Sequence, residues 1–287
     1  VAACLSYKSP FAASYEARDA ADRAKAAMCL AGSKTVAAGQ FSDHLAMIAA
    51  YEGWHRVKQV DGPRAGRTYA RSHHLSEATL HMISDLRRQL AAMLVDIGFI
   101  SAQRGRGRQA MQWVDDSNDR HNCFARNPTF IKICLCAALY PNIAMVDDSE
   151  DGSKSSTSWV DSRGVRVAIH PSSVNHASHL SYPYPFLVYL EKVKTSKIYM
   201  HDTTVVSPYS LMLFGGDMEI VYERSVVEID KWIKLRVPAQ TAVLLKKLRQ
   251  IINGHLFTRL NTPDDTLSEQ STLITNTVFK LFDDEEK

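Results

Sequence analysis

Residues 166–175 read RVAIHPSSVN, a strand-like run that stops at a His-Pro step and passes at once into two hydroxyls and an amide. Pro171 has no amide hydrogen to give a sheet, so the strand must end there. The side chains around it are of types that handle nucleic acid. The imidazole of His170 can stack on a base, and Ser172, Ser173 and Asn175 can hydrogen-bond a phosphate or a base edge. Two readings stay open. One is a polar strand terminus whose hydroxyls and amide satisfy nearby backbone groups; the other is the lip of a groove that holds a single strand. Both can hold at once.

Further along, EKVKTSK sets Lys192, Lys194, Thr195 and Lys197 across a short turn between two β-like runs. Lysines on a sheet edge guard against edge-to-edge pairing. The same ammonium groups at a hairpin tip also suit a phosphate backbone. In SAQRGRGRQA, Arg104 and Arg106 alternate with glycine, which makes either a flexible basic contact or a soluble connector.

Other chemistries find no support. His73, His74, His176, His179, Cys134 and Cys136 lack the paired spacing of a zinc site, so no metal is expected. No nucleophile elbow is present, and no catalytic residue is assigned. Neither GxxxxGK[ST] nor a DEAH box occurs in the 287 residues. The five cysteines form no CxxC pair, as expected of reduced thiols in an intracellular compartment, whether nucleus, cytoplasm or organelle. A net charge of +3 is too small to announce nucleic acid, so any basic patch must be local. No apolar run reaches the length that spans a bilayer.

The elements that must position these residues change character along the chain. Residues 1–142 carry helical periodicity. Ser42-Asp43 and Ser76 read as N-caps, Asn127-Pro128 opens a helix, and Gly98 stops one. Leu80, Ile83, Leu86, Leu90, Leu94 and Ile97 recur at helical spacing. From 143 onward VRVAIH, FLVYLEKV, KIYMHDTTVV, LMLFGG, MEIVYE and SVVEIDKWIKL read as short strands, enough for a small barrel. After Pro238 a helix returns, with Val243, Leu244, Leu248, Ile251, Ile252 and Leu256 as its apolar stripe. The fold class expected is α+β: a helical domain over 1–142, a barrel domain with a closing helix over 143–258, and a polar tail over 259–287. VAACLS at the start resembles the end of a helix already under way, as in a piece of a longer chain.

Several strings together carry a resemblance. LSYKSPF, AYEGW, HHLSEATLHMISDLRRQLAAMLVDIGFI, CLCAALYPNIAMV, VAIHPSSVN, PFLVYLEKVKTSKIYMHDTTVVSPYSLMLFGG and IDKWIKLRVPAQTAVLLKKLR occur in this order. The chain resembles the C-terminal part of DEAH/RHA-type RNA helicases, nearest the maleless/RNA helicase A branch. The resemblance implies a ratchet-like helical domain, truncated at its N-terminus, followed by an OB-fold. It also implies a parent whose two RecA-like domains and winged helix precede this segment, with ATP and magnesium bound in the RecA-like domains rather than here. The partners it implies are single-stranded RNA, those preceding domains and a large ribonucleoprotein assembly, without a membrane. In this setting the HPSS turn and the Lys-Thr-Ser-Lys hairpin face the RNA path. The alternative is a non-catalytic RNA clamp or scaffold subunit descended from such a helicase.

Overall fold

The computed structural model describes residues 1–11, 18–31, 41–100, 113–116, 118–147, 158–176, 181–263 and 269–285. Arg104 and Arg106 lie outside the described residues. The chain forms two compact units, Val1–Gln89 with Asn142–Val205, and Leu90–Pro141 with Val206–Lys287.

The first unit combines helices with a barrel. Helices α1 (Ala2–Leu5), α2 (Arg18–Ala31), α3 (Asp43–Asp61), α4 (Pro63–Ser72) and the start of α5 (Glu77–Asp96) belong to it. Ser42 caps α3 by accepting the amide of Leu45 at 3.1 Å, as its place before the apolar run predicts. Ser76 does the same for the amide of Thr79 at 3.3 Å. Five strands follow: β1 (Ile143–Val146), β2 (Trp159–Asp161), β3 (Arg166–Ile169), β4 (Phe186–Lys194) and β5 (Ile198–Val205). They close in the order β1-β2-β3-β5-β4, with β1 returning to β4. All neighbours are antiparallel except β3 and β5, which run parallel with Ile169 opposite Met200. Ala144, Trp159, Val167, Ile169, Leu187, Tyr189, Met200 and Val205 fill the interior. This is the α+β architecture expected, with its small barrel.

The second unit departs from the expectation. Its elements are the end of α5, α6 (Pro128–Leu139), α7 (Pro208–Phe214), strands β6 (Met218–Val221), β7 (Val226–Ile229) and β8 (Ile233–Arg236), and helices α8 (Ala239–Asn261) and α9 (Glu269–Glu285). LMLFGG is not a strand. Ser207 caps α7 through the amide of Ser210 at 3.2 Å, and Pro208 sits at the first turn, so the segment coils. β6, β7 and β8 make a separate antiparallel sheet rather than barrel staves. The helix after Pro238 packs on α7 and β6 within this unit. It buries Ala242, Leu245 and Ile252, while Leu244 is 70% exposed. The segment expected to be a polar tail carries α9, whose Val278 and Phe282 are buried.

Candidate nucleic-acid interface

The candidate residues from the HPSS turn separate sharply. Asp43, the first residue of α3, is wholly buried, and all its acceptor positions are taken. Its Oδ1 lies 2.7 Å from the Lys25 ammonium and accepts the amide of Val174 at 2.9 Å. Its Oδ2 accepts the Ser173 hydroxyl at 2.6 Å and the amide of Thr203 at 2.8 Å. Asn175, equally buried, donates to the carbonyls of Phe41 and Thr203 at 3.2 Å each and to the Thr203 hydroxyl at 2.8 Å. Ser173 and Asn175, expected to touch a strand, are therefore bolts. The Ser173 hydroxyl and the Asn175 amide nitrogen hold the turn after β3 to the first turn of α3 and to β5. A helix-bearing segment and the barrel thus share one buried polar joint.

Electrostatics keep that joint charged. Burial opposes the charge on Lys25, but Asp43 and Asp202 outweigh it and raise the pKa of the ammonium. Burial likewise pushes the Asp43 carboxyl up, yet Lys25, Ser173 and the Val174 amide hold it below the ordinary carboxylate range. Beside the pair, Thr204 Oγ1 sits 2.7 Å from both Ser42 Oγ and His44 Nδ1. Burial drives the pKa of His44 down to about 4, so the ring there is neutral.

His170 and Ser172 stay nearer the surface. The amide of Ser172 donates to His170 Nδ1 at 3.2 Å, which leaves the ring proton on Nε2. Ser172 Oγ lies 2.7 Å from the same nitrogen, and its carbonyl accepts from Lys25 at 3.3 Å. The His170 ring stacks on His201 with centroids 4.0 Å apart and meets Tyr199 edge-on at 5.7 Å. Burial, then the neighbouring His201, Arg18, His176 and Lys25, lower its pKa to about 4. A neutral imidazole in a half-exposed aromatic group is suited to stacking. Tyr199 and His201 were absent from the sequence reading. Their alternation on β5, with Met200 between them pointing into the barrel, was the available signal.

The lysine run also divides. Lys192 lies 2.5 Å from Asp161, a buried carboxylate whose other oxygen accepts the amides of Arg163 and Val165 at 3.0 Å each. Lys192 is thereby tied down at the barrel rim. Lys194, Thr195 and Lys197 form the tip of the β4–β5 hairpin, closed by the Thr195 amide donating to the Lys197 carbonyl at 2.8 Å. All three are exposed, and neither lysine has an ion-pair partner among the described residues. Among the described residues, no three His, Cys, Asp or Glu side chains gather as metal ligands, and no helix is long and apolar enough to cross a membrane.

The family described as an oligonucleotide/oligosaccharide-binding (OB)-fold matches residues 131–218, which include all five barrel strands. The DExH-box ATP-dependent RNA helicase DExH4, chloroplastic, of Arabidopsis thaliana is 36% identical over 249 residues, 83% of this chain and 17% of that protein. The ATP-dependent RNA helicase DHX29 of Homo sapiens is 30% identical over 275 residues, covering 95% of this chain and 19% of its own length. The ATP-dependent DNA/RNA helicase DHX36 of Homo sapiens is 31% identical over 265 residues, 92% of this chain and 24% of that protein. The chain spans about a fifth of the length of these relatives. By sequence along most of its length the chain belongs with the DExH/DEAH-box helicases, consistent with their C-terminal region, and the barrel at its centre matches the OB-fold family.

Proposed function

We propose that this chain grips a single RNA strand as the OB-bearing module of an ATP-dependent RNA helicase. The observation that carries the reading is the tip of the β4–β5 hairpin, where Lys194 and Lys197 stand exposed beside Thr195, without an ion-pair partner among the described residues. In OB-folds the loop joining the fourth and fifth strands is one of two that meet oligonucleotides. The aromatic group of His170, Tyr199 and His201, where β3 runs beside β5, offers flat partners for bases. Backbone charge and stacking together hold a strand without reading its sequence, which suits a motor that must pass any sequence. ATP and magnesium belong to RecA-like domains of the longer protein, and the joint at Asp43 keeps the barrel rigid against the helices while those domains cycle. The test is the affinity of the 287-residue chain for unstructured RNA as salt is varied. Lys194→Ala/Lys197→Ala lowers the slope of log K against log salt by about 0.7 for each lysine. An unchanged slope in a folded double variant rejects the hairpin as the contact.

A further inference from the structure

Helix α4, PRAGRTYARS, carries Arg64, Arg67 and Arg71 and no acidic residue. Positions i, i+3 and i+7 lie on one stripe of a helix. All three arginines are exposed. None has an ion-pair partner within 4.0 Å among the described residues. The nearest acid in sequence, Asp61, ends the preceding helix.

The rest of α4 is fixed against α3. Gly66 and Ala70 are buried. A Cβ on Gly66 would stand 3.0 Å from the Cβ of Lys58, so the glycine favours the close approach of the two helices. Tyr69 reaches over Gly53 of α3, where any Cβ would collide with its phenol, and its ring packs on His73 at 4.1 Å. The arginine stripe is thus presented on a braced helix rather than on a loop.

We propose that this stripe is a second nucleic-acid contact, one that takes the phosphate backbone of a duplex. At about 1.5 Å per residue, Arg64 and Arg71 are separated by about 10 Å along the helix. One strand of B-form DNA sets down a phosphate about every 3.4 Å of axis, and an A-form RNA duplex sets them somewhat closer, so the stripe spans about three or more successive phosphates. Guanidinium forks match phosphate oxygens, and three of them with no carboxylate at hand leave the charge available. The stripe offers no stacking surface. Tyr69 is the one aromatic residue of α4, and it is engaged with Gly53 and His73. A single strand, whose bases seek aromatic platforms, gains little there, whereas a duplex presents only its backbone. This assignment stands apart from the reading of the β4–β5 hairpin.

The test compares Arg64→Gln/Arg67→Gln/Arg71→Gln with the unmodified 287-residue chain, using a blunt RNA duplex and an unstructured strand of equal length. For the duplex, the slope of log K against log salt falls by about 0.9 per arginine removed, and binding at low salt weakens by about tenfold or more. The single-strand slope stays where it was, as does the melting temperature. Replacing the same three residues with Lys restores the duplex slope, because counterion release follows charge. A duplex slope unchanged in the folded Gln variant overturns the proposal; this is also the outcome if the stripe holds an acidic protein segment. An equal loss on both probes overturns its assignment to duplex. If the triple variant does not fold, Arg67→Gln alone decides, with about 0.9 of slope expected to vanish.

Discussion

The carboxylate of Asp43 and the ammonium of Lys25 meet at 2.7 Å with side chains 0% and 5% exposed, joining α2 to α3 at the point where the turn after β3 and strand β5 also attach. Taking Lys25 away leaves the Asp43 carboxylate buried without a cation, and taking Asp43 away leaves Lys25 with only Asp202 at 3.7 Å; losing the partner of a buried charge costs about 3–5 kcal/mol. Asp43→Asn and Lys25→Met are each expected to lose stability of that order in urea unfolding. The double variant should lose less than the two together, because the charges leave as a pair. Single variants with unchanged midpoints would show that the joint carries no weight.

Acid should loosen the same region in two stages. His44 titrates near 6.5 when unfolded and at about 4 when folded. Between those values the unfolded chain binds a proton that the folded chain refuses, so stability is full above about pH 6.5 and falls as pH drops toward 4. The loss amounts to about 3 kcal/mol at most. Asp43, held below the ordinary range, adds its own loss only below its unfolded value of about 3.8. Melting temperature against pH checks this. The slope between pH 6.5 and 4 should be shallower in His44→Gln, provided the variant folds.

The three lysines of the hairpin should behave as two kinds. Lys192→Ala leaves the Asp161 carboxylate buried without its cation and should cost about 1–3 kcal/mol. Lys194→Ala and Lys197→Ala should leave stability within about 0.5 kcal/mol. Their effect belongs to RNA affinity alone. Differential scanning fluorimetry on the three single variants separates the groups.

On α8 the register of burial is specific. Leu245→Asp puts a charge where the side chain is 4% exposed and should cost several kcal/mol, about what an unpaired buried charge costs. Leu244→Asp, at a position 70% exposed, should change the melting temperature little. Equal destabilisation would place the neighbouring face in an interface.

Local signals were read correctly wherever the physics is local. Ser42, Ser76 and Asn127 cap helices because each needs only the amides two or three residues ahead. The strand does end just before the His-Pro step, at Ile169, as Pro171 requires. The destination of the next four residues was hidden, because Ser173 finds Asp43 at a separation of 130 residues, which no window of sequence shows. Ser173 does serve the strand terminus, accepting the amide of Asn175 at 3.2 Å, and Ser173 and Asn175 carry in addition a role that neither reading held, that of a tertiary joint. LMLFGG misled for a different reason. Its apolar content fits a strand, but Ser207-Pro208 ahead of it supplies a cap and a first turn, and capping prevails over composition in so short a run. Leu244 was assigned to the core because helical periodicity fixes a stripe only to within a residue. Leu245 is the one that faces inward.

The central claim is that a single RNA strand runs over the β4–β5 tip and the His170 aromatic group, outside the buried Ser173–Asn175 joint. Photocrosslinking tests it most directly, with 4-thiouridine placed along an unstructured RNA bound to the 287-residue chain and the attachment sites mapped by mass spectrometry. Crosslinks should concentrate on Lys194 to Lys197 and on His170, Tyr199 or His201, and should weaken as salt rises. Crosslinks confined to other surfaces, with these residues unlabelled at saturating RNA, would contradict the account.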